Sequence, residues 1–285
     1  MIAITGASGH LGRLVIADLL KTVAAEQLVA IVRDPTKVAD LAQKGVQVRR
    51  AEYGDAAALQ AALTGVEKLL LISSSEVGQR APQHRNVIEA AKAAGVTFIA
   101  YTSLLRADRS PLGLAEEHVA TEKMLAESGI PFALLRNGWY TENYLASVPP
   151  ALEHGAFIGS AGEGKIASAT RADYAEAAAR VMTLDNQAGN VYELAGDEAW
   201  TLSDLTAQLS ELSGKPVVYQ NLSEADFKAA LQGAGLPEPF AALLANSDVG
   251  ASKGGLFDDS RQLSTLIGHP TTPLAESLRA LLQTN

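Results

Sequence analysis

The sequence predicts an α/β fold, a doubly wound parallel sheet joined to a smaller, mostly helical domain. Three observations carry that expectation. Short apolar runs alternate with helix-like segments through the first half of the chain, and this alternation builds parallel sheets covered on both faces. A glycine-rich turn, TGASGHLG from Thr5 to Gly12, directly follows the first run and marks the sheet as Rossmann-type. Beyond residue 140 the alternation loosens, and helix-like stretches punctuated by prolines take over.

The strands are predicted, in order, at IAIT (2–5), LVAIV (28–32), VQVRR (46–50), KLLLI (68–72), FIAYT (98–102) and FALLR (132–136). Their near-continuous apolar character suits strands buried on both faces. Between them, segments such as LGRLVIADLL and QHRNVIEAAKAAG have helical spacing. Gly45, Gly65, Gly95 and Gly129 stand where such helices would end. Later helices are expected at 171–183, 201–213, 223–233 and 272–284, with a strand at VYELAG (191–196). The stretch SDVGASKGGLFDDS (247–260) reads as a flexible or ligand-covering loop, and its Gly-Lys lacks the spacing and the Ser/Thr of a P-loop. The expected domains are residues 1–140, a cofactor-binding domain to which later segments return, and 141–285, which contains the smaller C-terminal domain on the substrate side.

Composition narrows the function. The 285 residues are 47% hydrophobic, ample for a packed core. The absence of cysteine excludes disulfides, thiolate metal sites and a cysteine nucleophile. A net charge of −9 argues against a general binder of nucleic acid or anionic membrane. Apolar runs such as LLLI (69–72) are far too short to span a bilayer, and no targeting segment is visible. The expectation is a soluble, cytoplasmic protein acting on a small molecule.

In the opening turn, Gly6 permits the tight bend, Gly9 lets the backbone approach a pyrophosphate, and Gly12 lets the next helix pack on the strand. The helix N-terminus then offers N–H groups and a positive dipole end to the phosphates. The spacing is G-x-x-G-x-x-G, so strand, loop and helix must argue together. Arg33 ends the second strand 21 residues past Gly12, where the adenosine ribose is read. Its planar fork of donors suits a 2′-phosphate and favours NADP, although the adjacent Asp34 would serve a free 2′-hydroxyl. NADPH is therefore the expected cofactor, with NADH weaker. Ligands of open parallel sheets sit at the carboxyl ends of strands. Ser73, Ser74 and Ser75 follow the fourth strand, Thr102 and Ser103 the fifth, and EYGD (52–55), able to close over an adenine, the third.

The chemistry is bounded by what is missing. No lysine has a tyrosine four residues before it, so the Tyr-x-x-x-Lys pair of short-chain dehydrogenases is absent. The segment where it would fall, HVATEKML, offers His118 and Lys123 as substitute proton donors. His84 and His118 nonetheless read first as helix-surface residues, with a place lining the active cleft as the alternative. The five histidines show no zinc-like spacing and no G-x-S-x-G elbow occurs, so neither a metal nor a serine nucleophile is expected. A hydride transfer that yields a stabilised anion needs less acid–base help.

The stretches TGASGHLG, LLLISSSEVGQRAPQHRNVI, IAYTSLL, HVATEKML, LLRNGWYTENYL and DVGASKGGLFDDS together resemble the NmrA-like atypical short-chain dehydrogenases. The resemblance covers essentially the whole chain and is strongest to the quinone-reducing bacterial members. It implies NADPH binding and two-electron reduction of quinones; direct hydride transfer needs no flavin if quinone and nicotinamide stack closely. By position it puts Gly6, Ala7, Ser8, Gly9, His10, Leu11 and Gly12 at the cofactor and Arg33 at the 2′-phosphate. Ser73, Ser74 and Ser75 would approach the nicotinamide. Asn137, Gly138, Trp139, Tyr140, Thr141 and Glu142 would border it, and Arg171 would reach the same place. For catalysis, Asn143 would donate to a quinone oxygen, while Trp139 and Tyr140 would offer flat surface to the ring; the alternative is that the aromatics are core and Asn143 caps a helix. Lys123 is a candidate proton donor. The alternative is a non-catalytic NADP(H)-sensing regulator of the NmrA type.

Overall fold

The computed structural model describes residues 1–284. Strands β1 (Ile2–Ile4), β2 (Leu28–Val32), β3 (Gln47–Arg50), β4 (Lys68–Leu71), β5 (Phe98–Leu104) and β6 (Phe132–Asn137) pair in parallel in the order β3-β2-β1-β4-β5-β6. Ile2 lies opposite Leu28 on one side and Lys68 on the other, so the order reverses at β1. In an open parallel sheet that reversal opens the crevice where ligands bind. The connecting helices are α1 (His10–Leu19), α2 (Ala39–Gln43), α3 (Ala56–Ala62), α4 (Arg80–Ala93) and α5 (Ala115–Ser128). The expected doubly wound α/β architecture is borne out.

The chain divides into two units. The first holds Met1–Leu104, Glu116–Asn137 and Arg171–Tyr192. Its core takes alternate residues of adjacent strands, Val29 and Ile31, Leu69 and Leu71, Ile99 and Tyr101, against Leu59, Val87, Ile88 and Leu125 of α3, α4 and α5. Every residue of β2 and β5 is buried, as covering on both faces requires. Gly45, Gly65, Gly95 and Gly129 follow helices in left-handed conformation, as expected of helix ends.

The second unit holds Leu105–Ala115, Gly138–Thr170 and the chain from Glu193 onward. It contains α6 (Thr141–Leu145), α7 (Val148–His154) and a two-stranded parallel sheet of β7 (Ala156–Gly159) and β9 (Val218–Asn221). Helix α8 (Arg171–Thr183) returns to the first unit and packs against α1, and β8 (Val191–Leu194) adds a seventh strand beside β6. The remaining helices are α9 (Leu202–Ser213), α10 (Glu224–Gly233), α11 (Glu238–Ser252), α12 (Gln262–Ile267) and α13 (Leu274–Thr284). Thr201 and Asp204 form a reciprocal cap that starts α9. Among the described residues, no helix is long and apolar enough to cross a membrane, and no acidic or histidine cluster could hold a metal.

Two sequence expectations are corrected. The segment 247–260 is not all loop, because Ser247–Ser252 form the last part of α11. Its small residues permit close packing: a Cβ on Gly250 would meet the Leu112 side chain at 2.7 Å. Asp248 is buried there and accepts from the Ser160 N–H at 2.8 Å, and burial pushes its carboxyl up to about 6.

His84 and His118 are not surface residues; both are buried. The Ser74 N–H donates to His84 Nε2 at 2.9 Å, so the ring proton lies on Nδ1 and faces Thr121 Oγ1, also at 2.9 Å. His118 Nδ1 lies 2.7 Å from the Tyr101 hydroxyl. Burial, reinforced by the Arg80 charge, lowers both imidazoles to about 3, so each is neutral near pH 7. Polar partners contributed by distant strands and helices allow these histidines inside.

Candidate functional site

The glycine loop closes on itself before α1 begins. Gly6 has φ +61°, and its carbonyl accepts from the Gly9 N–H at 2.9 Å. A Cβ on Gly12 would lie 2.5 Å from the Gly6 oxygen and 2.8 Å from Ala7 Cα, so the protein's own packing demands glycine at that position. Gly9 differs. Its φ of −76° suits any residue, and a Cβ there would meet only the Gly6 oxygen, at 3.2 Å. Gly9 caps α1 without a side-chain bond, and no acid occupies the first turn. The helix thus opens on unscreened N–H groups, the arrangement that receives an anion. Ala7 and Leu11 are buried beneath the turn, and His10 is exposed.

Thr5 ties the loop to β4, its hydroxyl accepting from the Ile72 N–H at 3.0 Å. The Tyr53 hydroxyl donates to the Ile72 carbonyl at 2.6 Å and stands 3.6 Å from where a Cβ on Gly6 would be. Tyr53 therefore supports the glycine turn, a role the sequence did not disclose. Beyond Ile72, the Ser73 N–H donates to Thr102 Oγ1 at 2.8 Å. Ser74 is buried, its N–H held by His84 and its carbonyl by Arg80 Nε, while Ser75 is exposed.

Arg33 is exposed at the end of β2, and the neighbouring Asp34 is already committed. The Asp34 carboxylate accepts from the Thr36 N–H at 3.0 Å and its hydroxyl at 2.7 Å, and those bonds hold its pKa below the ordinary value. The acid that could have received a free 2′-hydroxyl is thus engaged in a turn. At the end of β6, Asn137 is buried with its Oδ1 unpartnered. Arg171 opens α8. Lys123 is 75% exposed on α5, with Glu127 at 3.9 Å, as on an ordinary solvated helix face.

In the second unit, the segment after β6 is clamped by residues 168–169. The Thr141 N–H donates to the Ala169 carbonyl at 2.9 Å, the Ala169 N–H to the Trp139 carbonyl at 3.1 Å, and Thr141 Oγ1 meets Ser168 Oγ at 2.8 Å. The Gly138 N–H donates to the Leu194 carbonyl at 2.8 Å. This clamp leaves Trp139, Tyr140, Glu142 and Asn143 half-buried, with the Asn143 N–H bonded to the Tyr140 carbonyl at 3.0 Å. Tyr144 and Trp200 pack edge to face beneath them, their ring centroids 5.1 Å apart.

A glycine turn on an uncapped helix, at the reversal point of a parallel sheet, is a dinucleotide site in its geometry. Residues 6–185 match the model of a family described as NAD(P)H-binding, well over half of the chain. The chain belongs to this NAD(P)H-binding family. Over 285 residues it is 72% identical to quinone oxidoreductase 2 of Escherichia coli K12, with 100% of each chain covered. An E. coli NADPH-dependent quinone oxidoreductase, solved in complex with NADPH, matches with a TM-score of 0.97 and 72% identity, covering 99% of this chain and 100% of that one. Citrobacter triphenylmethane reductase complexed with NADP(H) matches with a TM-score of 0.95 and 42% identity, covering 99% of this chain and 100% of the other. An NmrA variant at 16% identity and TM-score 0.78, covering 99% and 95%, shares the fold alone. The NmrA-like resemblance expected from the sequence is borne out.

Proposed function

We propose that the protein uses NADPH to reduce quinones by two electrons to hydroquinones. The observation that carries this reading is the 72% identity, end to end, with a quinone oxidoreductase. The residues present suit the cofactor. The uncapped N-terminus of α1 would hold its pyrophosphate, and Arg33 its 2′-phosphate. The orphaned Asn137 Oδ1 suits an amide donor such as a nicotinamide carboxamide.

When bound, NADPH supplies the hydride. The chain's own part is to position and to stabilise charge. Asn143 donates to the quinone oxygen on which negative charge develops, and Trp139 and Tyr140 cover the planar ring. The resemblance to the family implies that Tyr140, Thr141 and Glu142 would border the cofactor. No strong general acid is needed, because the hydroquinone anion left by hydride transfer is stabilised enough to take the one remaining proton from water.

The activity is tested by following NADPH absorbance with a simple benzoquinone. Saturable oxidation that requires the quinone is expected; tight NADPH binding without turnover would instead indicate a sensor. Asn143→Ala should lower quinone turnover ~10- to 100-fold, somewhat less than the loss of a donor to a full tetrahedral oxyanion. NADPH affinity should stay within about twofold, since the lost bond belongs to the substrate. Lys123→Ala, on the exposed face of α5, is the control. Full turnover in Asn143→Ala together with loss in Lys123→Ala would move the proton-handling group to α5.

Gly9→Val isolates the glycine turn from folding. Its backbone φ of −76° is open to valine, and the one close contact, the Gly6 oxygen at 3.2 Å, needs only a small shift of the turn. The fold should therefore survive, as a far-UV CD spectrum would check, while a branched side chain fills the pyrophosphate position. Direct titration should find NADPH binding abolished. Unchanged affinity would remove the loop from the cofactor site.

A further inference from the structure

Arg33 is not an unoccupied cation. Its Nη1 donates to Glu76 Oε1 at 3.0 Å, across 43 residues of sequence. The second oxygen, Glu76 Oε2, accepts from Gln83 Nε2 on α4 at 2.8 Å. The backbone around Glu76 is anchored separately. Its N–H donates to Ser74 Oγ at 3.1 Å, and the Gly78 N–H donates to the Glu117 carboxylate, also at 3.1 Å. The loop is thus fixed on both sides of Glu76, while the side chain itself is 48% exposed and Arg33 69%. A carboxylate oxygen on a guanidinium makes the same charge-assisted bond that a phosphate oxygen would make there.

We infer that Glu76 is a specificity-determining residue, which competes with the cofactor's 2′-phosphate for Arg33 and so limits the preference for NADPH over NADH. The inference rests on the reading of Arg33 as the 2′-phosphate ligand. A 2′-phosphate on Arg33 would either take the Nη1 donor from Glu76 or bind the remaining guanidinium donors beside it. In both cases the Gln83 bond and the anchored backbone keep the Glu76 carboxylate close by. Two like charges then face each other across a short distance, which disfavours the phosphate. NADH carries no 2′-phosphate and leaves the Arg33–Glu76 pair intact. Both side chains are solvated, so the effect is moderate and sensitive to salt.

Direct binding titrations of NADPH and NADH, on the wild type, Glu76→Gln, Arg33→Ala and the double variant, test this. At low salt Glu76→Gln should tighten NADPH about two- to fivefold, with NADH within about twofold, in line with the strength of exposed ion pairs. The gain should shrink as salt rises and disappear in the Arg33→Ala background. Unchanged or weaker NADPH binding in Glu76→Gln overturns the inference, as does equal tightening of both cofactors. Arg33→Ala separates the two failures. If it leaves NADPH affinity unchanged, the 2′-phosphate assignment fails and the inference falls with it. If it weakens NADPH while Glu76→Gln has no effect, only the role of Glu76 is lost.

Discussion

Arg33→Ala is expected to weaken NADPH binding about 10- to 150-fold, because a hydrogen bond to a charged group contributes ~1.5–3 kcal/mol. NADH should be nearly unaffected. The selectivity follows from what the side chain touches. Arg33 projects from the end of β2, while the acid beside it, Asp34, is held by Thr36. The substitution also removes the pair with Glu76, but exposed ion pairs contribute only ~0–1 kcal/mol, so the phosphate interaction dominates the change. Fluorescence or calorimetric titration of both cofactors measures it. Equal losses for NADPH and NADH would mean that Arg33 supports the loop without reading the phosphate.

The second large effect is on stability. Glu122 of α5 receives Arg136 of β6 in a two-pronged pair, Nε to Oε1 at 3.0 Å and Nη2 to Oε2 at 2.7 Å. The Ser103 hydroxyl also donates to Oε1, and each charged side chain is only 12% exposed. Removing Glu122 takes both of these bonds from the Arg136 guanidinium where little water can replace them, and breaking a fully buried pair costs about 3–5 kcal/mol. With a little solvent access, Glu122→Ala should lose ~3 kcal/mol, the lower end of that range. Urea unfolding should show this as a lowered midpoint with an unchanged slope. Glu122→Gln, which keeps hydrogen-bond acceptor capacity, should lose less. A loss below ~1 kcal/mol in Glu122→Ala would class the pair with exposed surface bridges. The pair also explains why Arg136, first in the run RNGWYTEN, serves to fasten α5 to β6.

Much of the frame was legible from residue order alone. The six parallel strands, the helices at 171–183 and near 202–213, the glycine turn and the place of Arg33 follow from patterns within a few residues of one another. Apolar runs bury on both faces of a parallel sheet, helical spacing makes one apolar stripe, φ +61° at Gly6 favours glycine, and the Gly6 carbonyl 2.5 Å from a Cβ on Gly12 requires it there. Local geometry enforces these, so sequence carries them.

The tertiary structure decided whatever depends on partners far along the chain. Ser74 and Thr121 turn His84 from a surface candidate into a buried neutral ring, and Tyr101 does the same for His118. Residues 247–252, which read as loop, are the end of α11, with Gly250 packed against Leu112 far away along the chain. Glu76 reaches Arg33 only because the loop after β4 ends beside β2 across β1, which strand order sets and no local pattern shows. The physical reason is common to all of them. A polar side chain takes its protonation, burial and role from the groups that complete its hydrogen bonds, and here the sheet's topology supplies those groups.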